Sequence, residues 1–294
     1  MTEERLVADT RPMLLRLAYR ILGSYADAED VVQDTYLEIS GRDLSDIRQP
    51  KAYLTKAVAN RCLNLLKSAR KTRESYIGPW LPEPAPALPS NDPEALAEKR
   101  ETLSYAFVVL LQRLSPEERV AFVLREALGY AYRDIAAMLG KSETACRQTI
   151  SRARRKLPPP PAGGDAAREA AGEDAAAAER FARQFLAACE TGDFRGFVTS
   201  LSADARLVTD AGGKVRAATR VIYGSERIEA LFRGIAPKGF FDGEASLIRQ
   251  GGQIGVRLGR GSAAVWAAFF ELEPNRRVIQ TMYMVLNPEK LTRV

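Results

Sequence analysis

Ser115-Pro116-Glu117-Glu118, Gly129-Tyr130-Ala131-Tyr132, Gly140-Lys141-Ser142 and Cys146-Arg147-Gln148 punctuate residues 115–157, the stretch whose reading decides this chain. A serine followed three positions later by glutamate, with proline between them, is a capping box with proline in the first helical turn. It opens a helix through Val120, Phe122, Val123, Leu124 and Leu128 that Gly129 ends. Tyr132 to Leu139 forms a short helix with Ile135, Ala136 and Leu139 inward, stopped by Gly140. Ser142 caps a last helix, 143–157, whose inner stripe is Cys146, Ile150, Ala153 and Leu157. Two helices joined by a tight glycine-containing turn, the second densely basic, describe a helix-turn-helix. Its outer face presents Arg147, Gln148, Ser151, Arg152, Arg154, Arg155 and Lys156. Arginine and glutamine near the start of such a helix suit bidentate contacts to base edges, and the later arginines suit phosphates. Cys146, on the inner stripe, reads as a small core residue rather than a reactive thiol.

Working outward, the chain has 294 residues, which suggests two or three domains at roughly 150 residues each. Hydrophobic residues make up 46% and charged residues 27%, a globular balance that excludes wholesale disorder. No uncharged apolar run approaches the roughly 18 residues of a membrane span, and the acidic start Met1-Thr2-Glu3-Glu4 lacks a signal-peptide layout. There is no histidine, which removes Ser-His-Asp triads, Cys-His dyads and metal sites that need imidazole. Cys62, Cys146 and Cys189 lie far apart with no CxxC, so neither a disulfide framework nor a thiolate metal site is expected, and a reducing cytoplasm fits. Neither a metal nor a cofactor is expected.

Two stretches read as linkers. Pro79 to Pro89 contains five prolines, beginning Gly78-Pro79-Trp80-Leu81-Pro82-Glu83-Pro84, and favours a stiff extended path that holds its flanking domains apart. The second runs from Pro158 through four consecutive prolines, Gly163 and Gly164 into an Ala/Glu-rich stretch. Ahead of the first linker the pattern is helical. Leu14, Leu17, Ala18, Ile21 and Leu22 recur at helical steps before Gly23; Asp27 to Ser40 and Ala52 to Arg73 continue the pattern. Charge divides these helices. Residues 24–40 carry Asp27, Glu29, Asp30, Asp34 and Glu38 with no Lys or Arg, whereas 48–73 carry Arg48, Lys51, Lys56, Arg61, Lys67, Arg70, Lys71 and Arg73 with no acid. That segregation suits a protein that touches a basic protein surface with one helix and nucleic acid with the next.

Taken together, residues 1–157 resemble a bacterial ECF sigma factor, the short class with only region-2 and region-4 domains. The run Asp27-Ala28-Glu29-Asp30-Val31-Val32-Gln33-Asp34 is similar to region 2.2 of that family. The resemblance implies that Asp27, Glu29, Asp30, Gln33 and Asp34 dock on the β′ clamp of core RNA polymerase, with the β flap a further contact. Residues 45–73 resemble regions 2.3 and 2.4, which implies −10 contacts by Asn60, Arg61, Asn64, Lys67, Arg70 and Lys71. Residues 115–157 resemble region 4, which implies −35 contacts by Ser142, Thr144, Arg147, Gln148, Ser151, Arg152, Arg154 and Arg155. Ala131 stands where the family usually has a hydroxyl N-cap, and Asn64 where many members carry aspartate.

The remainder resembles the subgroup with a fused C-terminal SnoaL-like domain. Its signatures are Trp80-Leu81-Pro82-Glu83-Pro84, Asp210-Ala211-Gly212-Gly213-Lys214 and Asn287-Pro288-Glu289-Lys290-Leu291, with Ala211 replacing a usual glycine and Glu289 a usual aspartate. In that subgroup the extension acts as a built-in regulator through intramolecular contact, so no separate anti-sigma factor is expected, and no membrane partner. The expected organisation is 1–77 sigma region 2, 78–93 Pro-rich linker, 94–157 sigma region 4, 158–174 Pro/Gly/Ala-rich linker and 175–294 SnoaL-like domain. The fold class is therefore multidomain, two all-α sigma domains followed by an α+β SnoaL/NTF2-like cone.

In the third segment, 175–191 reads as an amphipathic helix using Phe181, Phe185, Leu186 and Cys189, and Ile228–Ile235 as a short one. Strand-like runs are Ala205–Thr209, Val215–Ala218, Glu244–Arg249, Gln253–Arg257, Ala263–Glu271 and Val278–Leu286, with turns at Gly251-Gly252 and Gly259-Arg260-Gly261. They predict a curved antiparallel sheet. An alternative reading is a SnoaL-like isomerase, cyclase or ligand sensor fused to the helix-turn-helix. It would use Asp210, Asp242 or Glu244 as base and Tyr223 or Tyr283 as donor. Asp210 precedes two glycines, however, so a turn-forming role explains it without chemistry. The chain is therefore not expected to be an enzyme.

Overall fold

A computed structural model describes residues 3–40, 49–85, 104–157, 165–250, 253–273 and 278–294. Among these, the chain divides into two compact units, one holding 3–74 and 108–157, the other 75–85, 104–107 and 165–294.

The first unit is all helix. Helix α1 (Glu3–Leu22) ends where Gly23 turns left-handed and its N–H reaches the Tyr19 carbonyl at 2.7 Å. Ser24 then caps α2 (Tyr25–Ile39) by accepting from the Asp27 N–H. Helix α3 (Pro50–Glu74) starts on a proline, tolerated there because the first N–H groups have no partner. Helix α4 (Tyr105–Leu111), whose first three residues belong to the second unit, was not foreseen from the sequence. The capping box of Ser115 and Glu118 opens α5 (Pro116–Glu126), with both reciprocal bonds present. Helix α6 (Tyr132–Leu139) has Ala131 at its N-cap with no side-chain bond, and it ends on left-handed Gly140. Ser142 accepts from the Ala145 N–H to start α7 (Glu143–Lys156).

The two helical groups pack into this one unit. Leu14, Leu17, Ile21, Val32, Leu54, Val58 and Cys62 are buried on one side, and Val120, Leu124, Ile135, Cys146 and Ile150 on the other. Arg119 of α5, only 3% exposed, donates to the Ile21 carbonyl at the end of α1 (2.9 Å), to Gln112 (2.7 Å) and to the Leu114 carbonyl (3.3 Å). Tyr130 meets the Thr55 hydroxyl at 3.2 Å. The expectation that the Pro-rich stretch holds these groups apart is therefore corrected. Periodicity reveals that each helix has an apolar face, but not that two such faces fit each other.

The second unit packs helices on one face of a six-stranded sheet ordered β2-β1-β6-β5-β4-β3. The strands are β1 (Leu201–Asp210), β2 (Ile222–Tyr223), β3 (Glu244–Gln250), β4 (Gln253–Arg260), β5 (Ala263–Leu272) and β6 (Ile279–Val285). The helices are α8 (Asp165–Thr191), α9 (Arg195–Val198) and α10 (Ser225–Ile235). The sheet is mixed rather than wholly antiparallel, because β1 and β6 run parallel. The run Val215–Ala218 forms no strand; the chain turns there, with the Lys214 N–H on the Ala211 carbonyl, and Val215 is exposed. Four alternating residues with no neighbour to pair with do not make a strand. The stretch 165–174, assigned to a linker, is instead the first part of α8, as its Ala/Glu composition favours. Of the two hairpin turns, Gly251-Gly252 lies outside the described residues. The other is centred on left-handed Gly261, with Arg260 paired to Ala263.

Alternation along the strands sorts the two faces. Phe185 of α8 lies at the centre of an aromatic cluster with Phe194, Phe197, Phe232, Phe241, Trp266 and Phe270, ring centroids 4.8–6.3 Å away. Leu207, Val256, Leu258, Met282 and Met284 complete that inner face. The opposite face carries Asp210, Phe269 and Tyr283, and it is covered by residues 80–85 and Tyr105 from the stretch between the two helical groups.

Candidate functional site

The sequence points to four sets of residues. On α2 the buried positions are Tyr25, Ala28, Val31, Val32, Thr35 and Ile39, spaced for one helical face. Asp27, Asp30, Gln33 and Asp34 are therefore exposed and Glu29 partly so. Arg61 of α3 lies against this helix, 2.5 Å from Glu38 and 3.9 Å from Asp34.

The second set, on α3, is not presented as one open face. Asn60 is half-buried and donates to the Met138 carbonyl of α6 at 3.3 Å, and Lys67 sits 3.6 Å from Glu117 of α5. Asn64 is exposed. Arg70 and Lys71 continue the helix, but their side chains lie outside the described residues.

The third set forms a stripe. Cys146, Thr149, Ile150 and Ala153 face the core, which turns Thr144, Arg147, Gln148, Ser151, Arg152, Arg154 and Arg155 outward from α7, with Ser142 at its cap. Burial pushes the Cys146 thiol up, in keeping with a packing role. Two of the arginines are already engaged. One Glu143 oxygen accepts from Arg147 Nε at 3.2 Å and Nη2 at 2.6 Å, and one Glu126 oxygen accepts from Arg154 Nε at 3.2 Å and Nη2 at 2.7 Å.

The fourth set closes around a buried charge in the second unit. Asp210, fully buried at the end of β1, accepts from the Tyr76 hydroxyl at 2.6 Å on Oδ1; on Oδ2 it accepts from the Leu81 N–H and from Lys290 Nζ, both at 2.7 Å. Lys290 also donates to the Leu81 carbonyl at 2.6 Å and lies 4.1 Å from the Trp80 ring centroid. Asn287 donates to the Tyr76 oxygen at 3.0 Å, and the Leu286 and Asn287 N–H groups both reach the Asp210 carbonyl. Burial, then the bond to Asp210, raises the Tyr76 pKa. Left-handed Gly212 is required here, since a Cβ would lie 2.6 Å from the Asn287 amide nitrogen and 2.8 Å from the Tyr76 oxygen. The left-handed angles fall on Gly212 and Gly213, so Ala211 occupies the one position of the three that side chains tolerate. Leu81, Pro82, Pro84 and Leu291 are buried, Glu83 partly so. Pro288, Gly213, Lys214 and Glu289 are exposed, the last two joined at 2.8 Å.

Sequence reasoning missed the rest of this seat. Ala85 donates to Gln250, Ala106 donates to Gln253, and Tyr105 stacks on Phe269 at 4.3 Å while its hydroxyl donates to the Pro82 carbonyl. No local pattern marks these residues. Tyr132 and Arg125, beside α7, were missed too.

The groups of the enzymatic alternative do not form one site. Asp210 is buried among the partners above, Asp242, Glu244 and Tyr223 are exposed, and Tyr283 donates to Glu271 at 2.6 Å. Among the described residues no cluster could hold a metal ion, no helix is long and apolar enough to cross a membrane, and the three cysteines are free and buried.

Comparison with known proteins agrees with the helical part. Residues 6–72 match the family description Sigma-70 region 2, and residues 105–157 match Sigma-70, region 4. The chain is similar to the ECF RNA polymerase sigma factor SigJ of Mycobacterium tuberculosis, 35% identical over 250 residues, covering 84% of this chain and 78% of the relative. It is also similar to the probable ECF RNA polymerase sigma factor SigI of the same organism, 31% identical over 220 residues, covering 74% and 71%. The crystal structure of M. tuberculosis SigJ superposes with a TM-score of 0.72 at 29% identity, covering 96% of this chain and 95% of that one, so the likeness extends through the C-terminal mixed-sheet unit. Relatives that match so much of the chain are sigma factors rather than enzymes. With both sigma regions in order, the chain belongs to the ECF RNA polymerase sigma factors, which serve transcription initiation.

Proposed function

We propose that the chain binds core RNA polymerase through the acidic face of α2, reads the −10 element with α3 and the −35 element with α7, and is regulated by its own C-terminal domain. The observation that carries the reading is the outward stripe of α7, Arg147 to Arg155, backed by Cys146, Ile150 and Ala153 in the core. A rigid, capped helix with that stripe fits a major groove. Five acidic or amide groups, Asp27, Glu29, Asp30, Gln33 and Asp34, on one accessible side of α2 suit a basic protein surface. Transcription in vitro with core polymerase tests the whole: the chain should confer initiation at its promoter, and core polymerase alone should not. Reversing Asp30 and Asp34 to Lys should weaken capture of core polymerase while the fold survives.

We read the C-terminal domain as a SnoaL/NTF2-like α+β cone, on the strength of a long helix laid on a mixed six-stranded sheet. The regulatory reading rests on the grip of Asp210, Asn287 and Lys290 on Tyr76, Trp80 and Leu81, because those three belong to the connection between the two sigma regions. A domain that holds this connection governs the freedom of both regions without a separate anti-sigma protein. Tethering helps, since a linked contact acts at an effective concentration of order millimolar. Deleting the tail from Asn287 onward should release the segment and raise promoter output; deleting the whole extension should lower it. Equal output from full-length, tail-deleted and 1–165 protein would make the domain a passive passenger.

A further inference from the structure

The arginines that the −35 reading assigns to DNA are, in the free protein, held by carboxylates. Glu143 and Glu126 each use one oxygen to accept from both Nε and Nη2 of Arg147 and Arg154. That side-on edge is one a guanidinium offers bidentately to a phosphate or to guanine O6 and N7. Between them stands Tyr132, the first residue of α6. Its ring centroid lies 4.5 Å from the Arg147 guanidinium carbon and 4.6 Å from that of Arg125, and Arg125 is fixed in turn by the Tyr130 carbonyl at 2.8 Å. Two guanidinium groups thus pack on one half-buried phenol, and one of them is itself held by a carboxylate.

We propose that Glu126 and Glu143 form an intramolecular brake on the recognition helix, occupying the edges that DNA must take, while Tyr132 keeps Arg147 stacked in reading position. The inference rests on the assignment of α7 to the −35 element. Its physical basis is competition. Any duplex must displace the carboxylates before Arg147 and Arg154 can contact it, and the displaced carboxylates then lie near the phosphates, where like charge repels. The penalty is the same for every sequence, so it lowers the affinity for every duplex alike and leaves discrimination to the base-edge contacts of Arg147. The ring adds direction: stacking leaves the in-plane N–H edge of Arg147 free to exchange one acceptor for another without losing its orientation.

The test uses holoenzyme reconstituted from the full chain and core polymerase. Two duplexes serve as probes, one with its −35 segment selected by wild-type holoenzyme from a randomised pool, the other with that segment scrambled. Glu143→Gln and Glu126→Gln should each tighten binding to both duplexes by the same factor, about two- to fivefold, and steepen the salt dependence of each by about one unit of slope. Tyr132→Leu should weaken the selected duplex about two- to fivefold and spare the scrambled one, and Tyr132→Phe should restore it. No gain on either duplex, or the same gain from Glu143→Gln in an Arg147→Ala background, overturns the brake. If Arg147→Ala leaves the selected-to-scrambled ratio unaltered, the assignment of α7 itself fails, which is a different result.

Discussion

Helix α7 and the Asp210 seat treat charge in opposite ways, and the contrast fits the different roles proposed for them. On α7 the ion pairs lie at the surface, with the Arg147 and Arg154 side chains 59% and 52% exposed, so water and salt screen them and partners exchange cheaply. At Asp210 the pair with Lys290 is sealed, 0% and 8% exposed, and every neighbouring donor is committed. Exposed pairs suit a surface that trades one anion for another. A buried pair contributes little net stability over apolar residues, but losing one partner is heavily penalised, so it makes an all-or-none clasp.

The sharpest way to break the comparison is to remove one buried charge. Lys290→Met should destabilise the second unit by about 3–5 kcal/mol, because Asp210 is left charged without its cation. Both tryptophans, Trp80 and Trp266, belong to that unit, so a urea titration followed by their fluorescence reads the loss. Asp210→Leu combined with Lys290→Met should recover most of it; no recovery would mean that the carboxylate's other partners dominate.

Arg147→Ala should cost about 1–3 kcal/mol of −35 discrimination but less than about 0.5 kcal/mol of stability. Electrophoretic competition and a thermal melt on one sample check both halves. A stability loss as large as the binding loss would place Arg147 in the structure rather than at the interface.

Tyr76→Phe sharpens the picture of the clasp. It removes one bond to Asp210 and the acceptor of Asn287, at about 1–2 kcal/mol. Because folding raises the Tyr76 pKa, its neutral form is favoured in the folded state. The wild type therefore keeps this contribution below the ordinary tyrosine value of about 10 and loses it as pH rises above that value toward the raised one. Unfolding titrations from pH 8 to about 11 should give the variant a shallower alkaline decline than the wild type.

The smallest effect belongs to Lys214 and Glu289, the exposed pair beside the clasp, whose side chains are 54% and 67% accessible. Lys214→Met should change stability by less than about 0.5 kcal/mol and be insensitive to salt beyond that. A larger loss would show that the outer pair belongs to the same cooperative seat as the inner one.

Much of the first unit was legible because its signals are local. The capping box at Ser115, the glycines after α1 and α6, the Ser142 cap and the inner stripe of α7 each lie within a few residues of what they organise. The missing N-cap at Ala131 was legible for the same reason. In the second unit, helix α10 and the strands after it were foreseen to within a few residues, whereas the mixed pairing was not. A parallel β1–β6 pair joins segments about 75 residues apart, and no alternation pattern records direction.

Apart from α4 and the first part of α8, the sequence alone determined where the longer helices form and stop, how charge divides among them, and which side chains α7 turns outward, since each follows from spacing, capping and glycine conformation. It also singled out Trp80, Asp210, Asn287 and Lys290 as signatures of the fused domain, and gave Asp210 a turn-forming role beside the two glycines. Tertiary structure alone decided which atoms of these residues meet. Leu81 reaches Asp210 across 129 positions and Lys290 reaches it across 80. A contact at such separation is set by how apolar faces fit and how buried polar groups find partners, which are properties of the folded packing and not of any window of the chain.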